Sequence, residues 1–243
     1  MGEAKRRKQT GAPSPRSPQG RKPLIILLAV VIAVVVVAGL YVATKPPAPG
    51  SDDLPVAAPN ADEFPAMLDQ FGVSVGPADA PVVVREFADF QCPACATFAD
   101  ASKRLKDEYV SEGKVRFVYF DLPLRQHPNA MPAAQAARCA GDQNQYWAMH
   151  DKLYAAQGEW SGSNDPAATF TRYASNLGLE ERRFRRCMDT ELHREAVEQS
   201  FQVAMQLRVA STPTVMVDNI PLTRPGWGQL SAVVERELAK ANN

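Results

Sequence analysis

The distribution of apolar and polar positions divides the chain into regions of different character. Leu24 to Ala43 (LIILLAVVIAVVVVAGLYVA) is a charge-free run of 20 residues. As a helix rising about 1.5 Å per residue it would span about 30 Å, the thickness of a bilayer core. It has no polar face, unlike a helix on the surface of a soluble domain. The pattern therefore predicts one transmembrane helix over 24–43. The alternative is a cleaved signal peptide, whose apolar region runs about 7–15 residues before a small-x-small site. This run is longer, and Tyr41-Val42-Ala43 is a poor cleavage site, so an uncleaved anchor is expected. Residues 44–75 read as linker. The stretch 44–62 holds five prolines and suits a semi-extended spacer, and a short helix is expected around Glu63–Gln70.

Residues 76–243 read as the globular domain. Pro81–Phe87 is largely apolar and β-branched, a strand signal. Pro93–Val110 places Phe98, Ala101, Leu105 and Tyr109 on one helical face. Val115–Phe120 is a second strand, so the order is βαβ, a unit whose crossover is right-handed. A helical stretch follows from about 127 to 208. Within it, Asp165-Pro166 marks a helix start and Gly178 a stop, and Val197, Phe201, Ala204 and Leu207 form an apolar stripe. Thr214–Val217 and Ile220–Leu222 flank a turn at Asp218-Asn219, and an amphipathic helix over Gln229–Lys240 ends the pattern. The expected class is α/β with a helical insertion, behind one N-terminal transmembrane helix.

Charge sharpens this reading. Lys5, Arg6, Arg7, Lys8, Arg16, Arg21 and Lys22 face only Glu3 before residue 23, which leaves 20 basic and 26 acidic residues beyond. An acidic domain without a basic aromatic stripe argues against nucleic acid as a partner. The basic tail, 1–23, instead sets topology: positive residues stay cytoplasmic, so the N-terminus is inside and the domain outside. No cysteine lies near the end of the apolar run, which speaks against a lipid-modified anchor.

The chemistry concentrates at Cys92-Pro93-Ala94-Cys95. A Cys-x-x-Cys pair is either redox-active or half of a zinc site, and a zinc site wants four N/S ligands. Cys139 and Cys187 stand alone, 48 residues apart, and no histidine has a matching spacing, so neither a metal nor a cofactor is expected. The pair lies between a strand and a helix, the redox context. Cys92 falls at the N-cap with Pro93 at N1, a favoured place for proline. Unpaired N–H groups and the positive end of the helix dipole then favour a thiolate at Cys92. Cys95, one turn in, is the resolving sulfur. A substrate thiolate attacks Cys92, and a second thiol releases the reduced pair.

The run Glu86-Phe87-Ala88-Asp89-Phe90-Gln91-Cys92-Pro93-Ala94-Cys95 resembles the active-site segment of the DsbA-like family of thioredoxin-fold oxidoreductases. Asp121-Leu122-Pro123-Leu124 with His127-Pro128-Asn129-Ala130, and Thr212-Pro213-Thr214, are similar to two further segments of that family in the same order. The resemblance covers about residues 75–240 and implies a thioredoxin-like fold. It implies that Pro213 is cis and lies against the cysteines, and that Thr212 offers its backbone to an extended substrate, beside Pro93 and Ala94. It implies that Glu86, six residues before Cys92, sits beneath the pair and exchanges protons with Cys95. The alternative for Glu86 is a strand-end carboxylate paired with a lysine or arginine.

The other groups carry less. Asp89 is placed on the loop after the strand. His127, followed by Pro128, reads as structural, and His150 and His193 as surface residues. Trp147 and Trp160 read as core of the insertion. Trp227, in Gly226-Trp227-Gly228, reads as part of a turn rather than of a substrate groove. If Cys92 pairs with Cys95, Cys139 is left for Cys187. The readings are a structural disulfide, which some members of the resembling family carry in the helical region, two buried thiols, or an electron relay. The leading functional reading is a monomeric enzyme, anchored in a bacterial inner membrane, that donates its disulfide to proteins folding on the periplasmic side and is reoxidised by a membrane redox partner. The alternatives are an isomerase or reductase kept reduced by a membrane donor, and a tethered peptide-binding module.

Overall fold

The computed structural model describes residue 30 and residues 54–58 and 63–241. The basic tail, 1–23, and the rest of the expected anchor, 24–43, lie outside the described residues. Among the described residues no helix is long and apolar enough to cross a membrane. Contacts divide the chain into Met1–Gly50 and Ser51–Asn243, and the sheet and its helices belong to the second unit.

A short 3₁₀ segment, Ala66–Phe71, leads into β1 (Val73–Val75). Then come β2 (Val82–Ala88), α1 (Pro93–Leu105) with a π-turn over Lys106–Val110, and β3 (Val115–Asp121). Six helices follow: α2 (Ala130–Gly141), α3 (Tyr146–Ala155), the single turn α4 (Gln157–Trp160), α5 (Ala167–Asn176), α6 (Glu181–Asp189) and α7 (Arg194–Gln206). The chain returns through β4 (Thr214–Val217) and β5 (Ile220–Pro221) to α8 (Trp227–Ala241). The sheet order is β1-β3-β2-β4-β5. β2 and β3 are parallel, the other pairs antiparallel. This is a thioredoxin-like α/β fold with a helical insertion between β3 and β4.

β2 and β3 are buried on both faces, which is why their sequences read as nearly continuous apolar runs. Side chains alternate across the sheet. Val82, Val84 and Ala88 join Val115, Phe117, Tyr119, Val215 and Val217 in the larger core, covered by α1, α8 and the insertion. Phe87, Val118 and Phe120 face the other way, onto Leu68, Val203 and Ala204. Glu86 falls on the first face and Arg85 on the second, where its guanidinium grips Asp69 through two hydrogen bonds of 2.7 and 2.8 Å.

The 3₁₀ segment and β1 lie within the stretch read from sequence as linker, 44–75. Three residues of alternating pattern are too few to signal a strand, and only pairing with β3 makes one. Phe64 N–H donates to Asn219 Oδ1 at 2.8 Å and Arg236 Nη2 to the carbonyl of Pro55 at 2.8 Å, so the segment before β1 is held on the domain. The start at Asp165-Pro166 takes a slightly different form: α5 begins at Ala167, whose N–H is accepted by Asp165 Oδ1 at 3.1 Å. Gly178 does stop α5, at φ +75°.

Candidate active site

Ala88 ends β2, and the loop Asp89–Gln91 turns the chain into α1. Cys92 is the N-cap of α1 in extended backbone (φ −74°, ψ 123°), with Pro93 following and no acidic residue in the first turn. Both cysteines are free thiols; Cys92 is 8% exposed and Cys95 fully buried. β4 runs antiparallel to β2 with Thr214 opposite Phe87. That register brings the preceding Thr212–Pro213 peptide, which is cis, to the loop carrying Cys92. The Cys92 thiol points at the Thr212 carbonyl oxygen, 3.7 Å away.

The loop is clamped from several sides. The buried Asp89 carboxylate accepts from the backbone N–H of Gln91 (2.7 Å) and of Leu124 (2.8 Å), and lies 2.8 Å from His127 Nδ1. It therefore ties the active-site loop to the segment after β3, where His127 serves as its partner. Gln157 Nε2 donates to the carbonyls of Phe90 (2.8 Å) and Cys92 (3.0 Å). Gln91 accepts from the Asn129 N–H and donates to the Ser161 carbonyl. Such satisfied buried networks hold one geometry, because every broken bond would leave a polar group dry.

Beneath the pair, Glu86 is 1% exposed, and Ser102 Oγ donates to its Oε2 at 2.6 Å. Its Oε1 is buried without a partner. Burial, only partly opposed by the Ser102 hydrogen bond, raises its pKa from 4.5 to about 7. Burial likewise pushes the Cys95 thiol well up, aided by the charges of Glu86 and Cys92 and opposed by hydrogen bonds from the Asp89 backbone and the Thr212 side chain. Among the described residues the hydrogen bond to Glu86 comes from Ser102 and not from a lysine or arginine.

Three comparisons bear on this geometry. Residues 69–236 match the family model described as thioredoxin, well over half of the chain. A probable disulfide bond formation protein D of Bacillus anthracis is 31% identical over 173 residues, covering 69% of this chain and 78% of that protein. The chain belongs to the DsbA-like family of thioredoxin-fold thiol–disulfide oxidoreductases. The crystal structure of oxidised BdbD from Bacillus subtilis superimposes on the DsbA-like domain with a TM-score of 0.63 at 21% identity, over 76% of this chain and 98% of that one. A Na(+)/H(+) antiporter NhaA 3 of Salinispora tropica is 39% identical over 144 residues, but the DsbA-like chain spans only 21% of its length.

In this DsbA-like domain Cys139 on α2 and Cys187 on α6 form a disulfide, with Cα atoms 5.8 Å apart. His193 is half-buried beside it and bonds Asp142 Oδ2 at 3.0 Å. Its ring and the two sulfurs lie within 4.8 Å of one another, but bonded sulfurs offer no thiolate to a metal. His150, expected at the surface, is fully buried. Its Nδ1 lies 2.8 Å from Asp151 Oδ1, and its ring packs edge-on against Tyr119 and Phe90. Sequence position gave no hint of this, because α3 is apolar on nearly all sides and one histidine does not reveal which way it faces. Trp160 is buried in the insertion, as expected, and Trp147 half-buried. Trp227 opens α8, with the Arg104 guanidinium 3.9 Å from its ring centroid. Reading the sequence also missed Gln157 and Ser102, which act by hydrogen bonds across elements and carry no local signal.

Proposed function

We propose that this chain is a membrane-anchored protein thiol–disulfide oxidoreductase that donates the Cys92–Cys95 disulfide to proteins folding outside the cytoplasm. The observation that carries this is the asymmetry of the pair. Cys92 caps α1 against the cis Thr212–Pro213 peptide, while Cys95 is fully buried one turn below. Cys92 is the sulfur attacked by a substrate thiolate. Cys95 leaves, takes a proton from Glu86, and resolves the mixed disulfide in the reverse direction. Thr212 and Pro213, with Pro93 and Ala94, form the surface on which an extended substrate lies.

The site is assigned to a domain that includes the 3₁₀ segment and β1 before residue 76, held by the 24–43 anchor, N-terminus inside, in a bacterial inner membrane. The charge-free run and the basic tail before it support this placement. The name of the Bacillus relative, a probable disulfide bond formation protein, fits the oxidising direction. A membrane redox partner would restore the disulfide, and Cys139–Cys187 braces the insertion without passing electrons.

Redox titration of the full chain in detergent tests the direction. An oxidant should have a potential well above that of thioredoxin, about −270 mV. A potential near that value would replace donation by a reductase or isomerase role. Alkylation in intact cells should find Cys92 and Cys95 mostly oxidised.

A further inference from the structure

Ser102 lies in the last turn of α1, and Lys106, four residues on, begins the π-turn that follows. Ser102 holds Glu86, while Lys106 Nζ forms an ion pair with Asp151 Oδ1 of α3 at 2.6 Å. The lysine side chain is only 11% exposed and its ammonium lies 4.8 Å from the Trp147 ring centroid. Asp151 Oδ1 also meets Nδ1 of the buried His150 at 2.8 Å. We propose that the Lys106–Asp151 ion pair, locked by His150, is a positioning device for proton exchange at Glu86. The proposal rests on the thiol–disulfide reading of the site.

The device works by charge balance. A half-buried ammonium on the helix face that holds Glu86 would, alone, drive the carboxyl to ionise and leave it no proton to give. Asp151 cancels that field. His150 keeps Asp151 in place without adding charge, because burial lowers its pKa from 6.5 to about 4. Neutral His150 donates from Nδ1, so its Nε2 is an acceptor, buried and unpartnered like Glu86 Oε1. The other groups around Glu86 are Cys95 on α1, and Tyr119, Tyr146 and Tyr154, which also feel its charge. Tyr119 and Tyr154 share a 2.7 Å hydrogen bond. Val215 is the β4 neighbour, and α8 brings buried Leu230, Val233 and Val234. Lys106 and Asp151 thus act on Glu86 with opposite sign, the first lowering and the second raising its pKa. π-turns of this kind are enriched at functional sites.

In the oxidising step a substrate thiolate attacks Cys92 Sγ and the Cys92–Cys95 bond breaks. Cys95 leaves with the electron pair and takes the proton from the Glu86 carboxyl. Glu86, now a carboxylate, regains a proton from water. A second substrate thiolate then attacks the substrate sulfur of the mixed disulfide and frees Cys92. The substrate loses two electrons and the enzyme gains them.

The test is a carboxyl ¹³C NMR titration of the full chain in detergent micelles, with the Glu86 signal assigned by its loss in Glu86→Gln. Lys106→Met should move the midpoint up and Asp151→Asn should move it down, each by roughly half a pH unit or more. The double variant should return toward the wild type, and Lys106→Arg should keep the wild-type midpoint. The pH profile of oxidation of a dithiol peptide should shift in the same order. Midpoints that stay put or move together, or a profile that does not follow them, would overturn the proposal. A wild-type chain that oxidises no dithiol at any pH would instead overturn the functional reading, since the midpoints are measured without turnover.

Discussion

At the scale of single residues, Glu86 illustrates how burial changes what a side chain does. Its nearest polar contact is a hydroxyl, so desolvation dominates and the neutral acid is the favoured form. The sign for stability follows. A pKa raised on folding gives a contribution that is complete below 4.5, the ordinary value, and is lost as pH rises through about 7. The span from 4.5 to about 7 corresponds to about 3 kcal/mol. Glu86→Gln keeps an acceptor for Ser102 and cannot ionise. Its stability relative to the wild type should therefore rise by about that amount between pH 4 and pH 8, read by urea unfolding at each pH. A difference that does not change with pH would show that folding leaves the pKa of Glu86 at its ordinary value. Glu86 was legible in the sequence, by its place in an apolar strand six residues before Cys92. His150 was not, because its burial depends on β3 and the Asp89–Gln91 loop packing over α3.

At the scale of elements, the N-terminus of α1 was legible because Cys92 and Pro93 are local signals for a cap and a first helical residue. The clamp around it was not. Asp89, Gln91, Asn129 and Gln157 come together from three separate segments, and their bonds span 35 to 70 residues where they join different elements. The bridge between α2 and α6 also depends on how elements pack. Sequence left Cys139 and Cys187 with three readings, and only the placement of the two helices brought their Cα atoms to 5.8 Å. The bond closes a 48-residue separation, for which chain entropy predicts roughly 4 kcal/mol of stabilisation. Replacing both cysteines by serine should lower the urea midpoint by a corresponding amount. It should leave the potential of the Cys92–Cys95 pair unchanged, since the proposed role is structural. A changed potential would favour the relay reading.

At the scale of the whole domain, a sheet buried on both faces requires covers from distant parts of the chain. One cover, the 3₁₀ segment, is held by the Asp69–Arg85 pair, whose side chains are 4% and 6% exposed. Asp69→Ala would leave Arg85 charged and unpaired in a dry site. The expected loss is about 3–5 kcal/mol in urea unfolding, whereas a loss below about 1 kcal/mol would mean that the segment is dispensable to the fold. The amino-acid sequence by itself determined the strand–helix–strand order, the redox pair at a helix start and the helical insertion. Periodicity, capping and β-branching act over a few residues, so they survive reading along the chain. Tertiary structure alone decided that residues 73–75 belong to the sheet, that His150 is buried and that Cys139 meets Cys187. It also decided which charges surround Glu86. Each of these depends on distances between segments far apart in sequence, and burial sets the strength of every charge and hydrogen bond there.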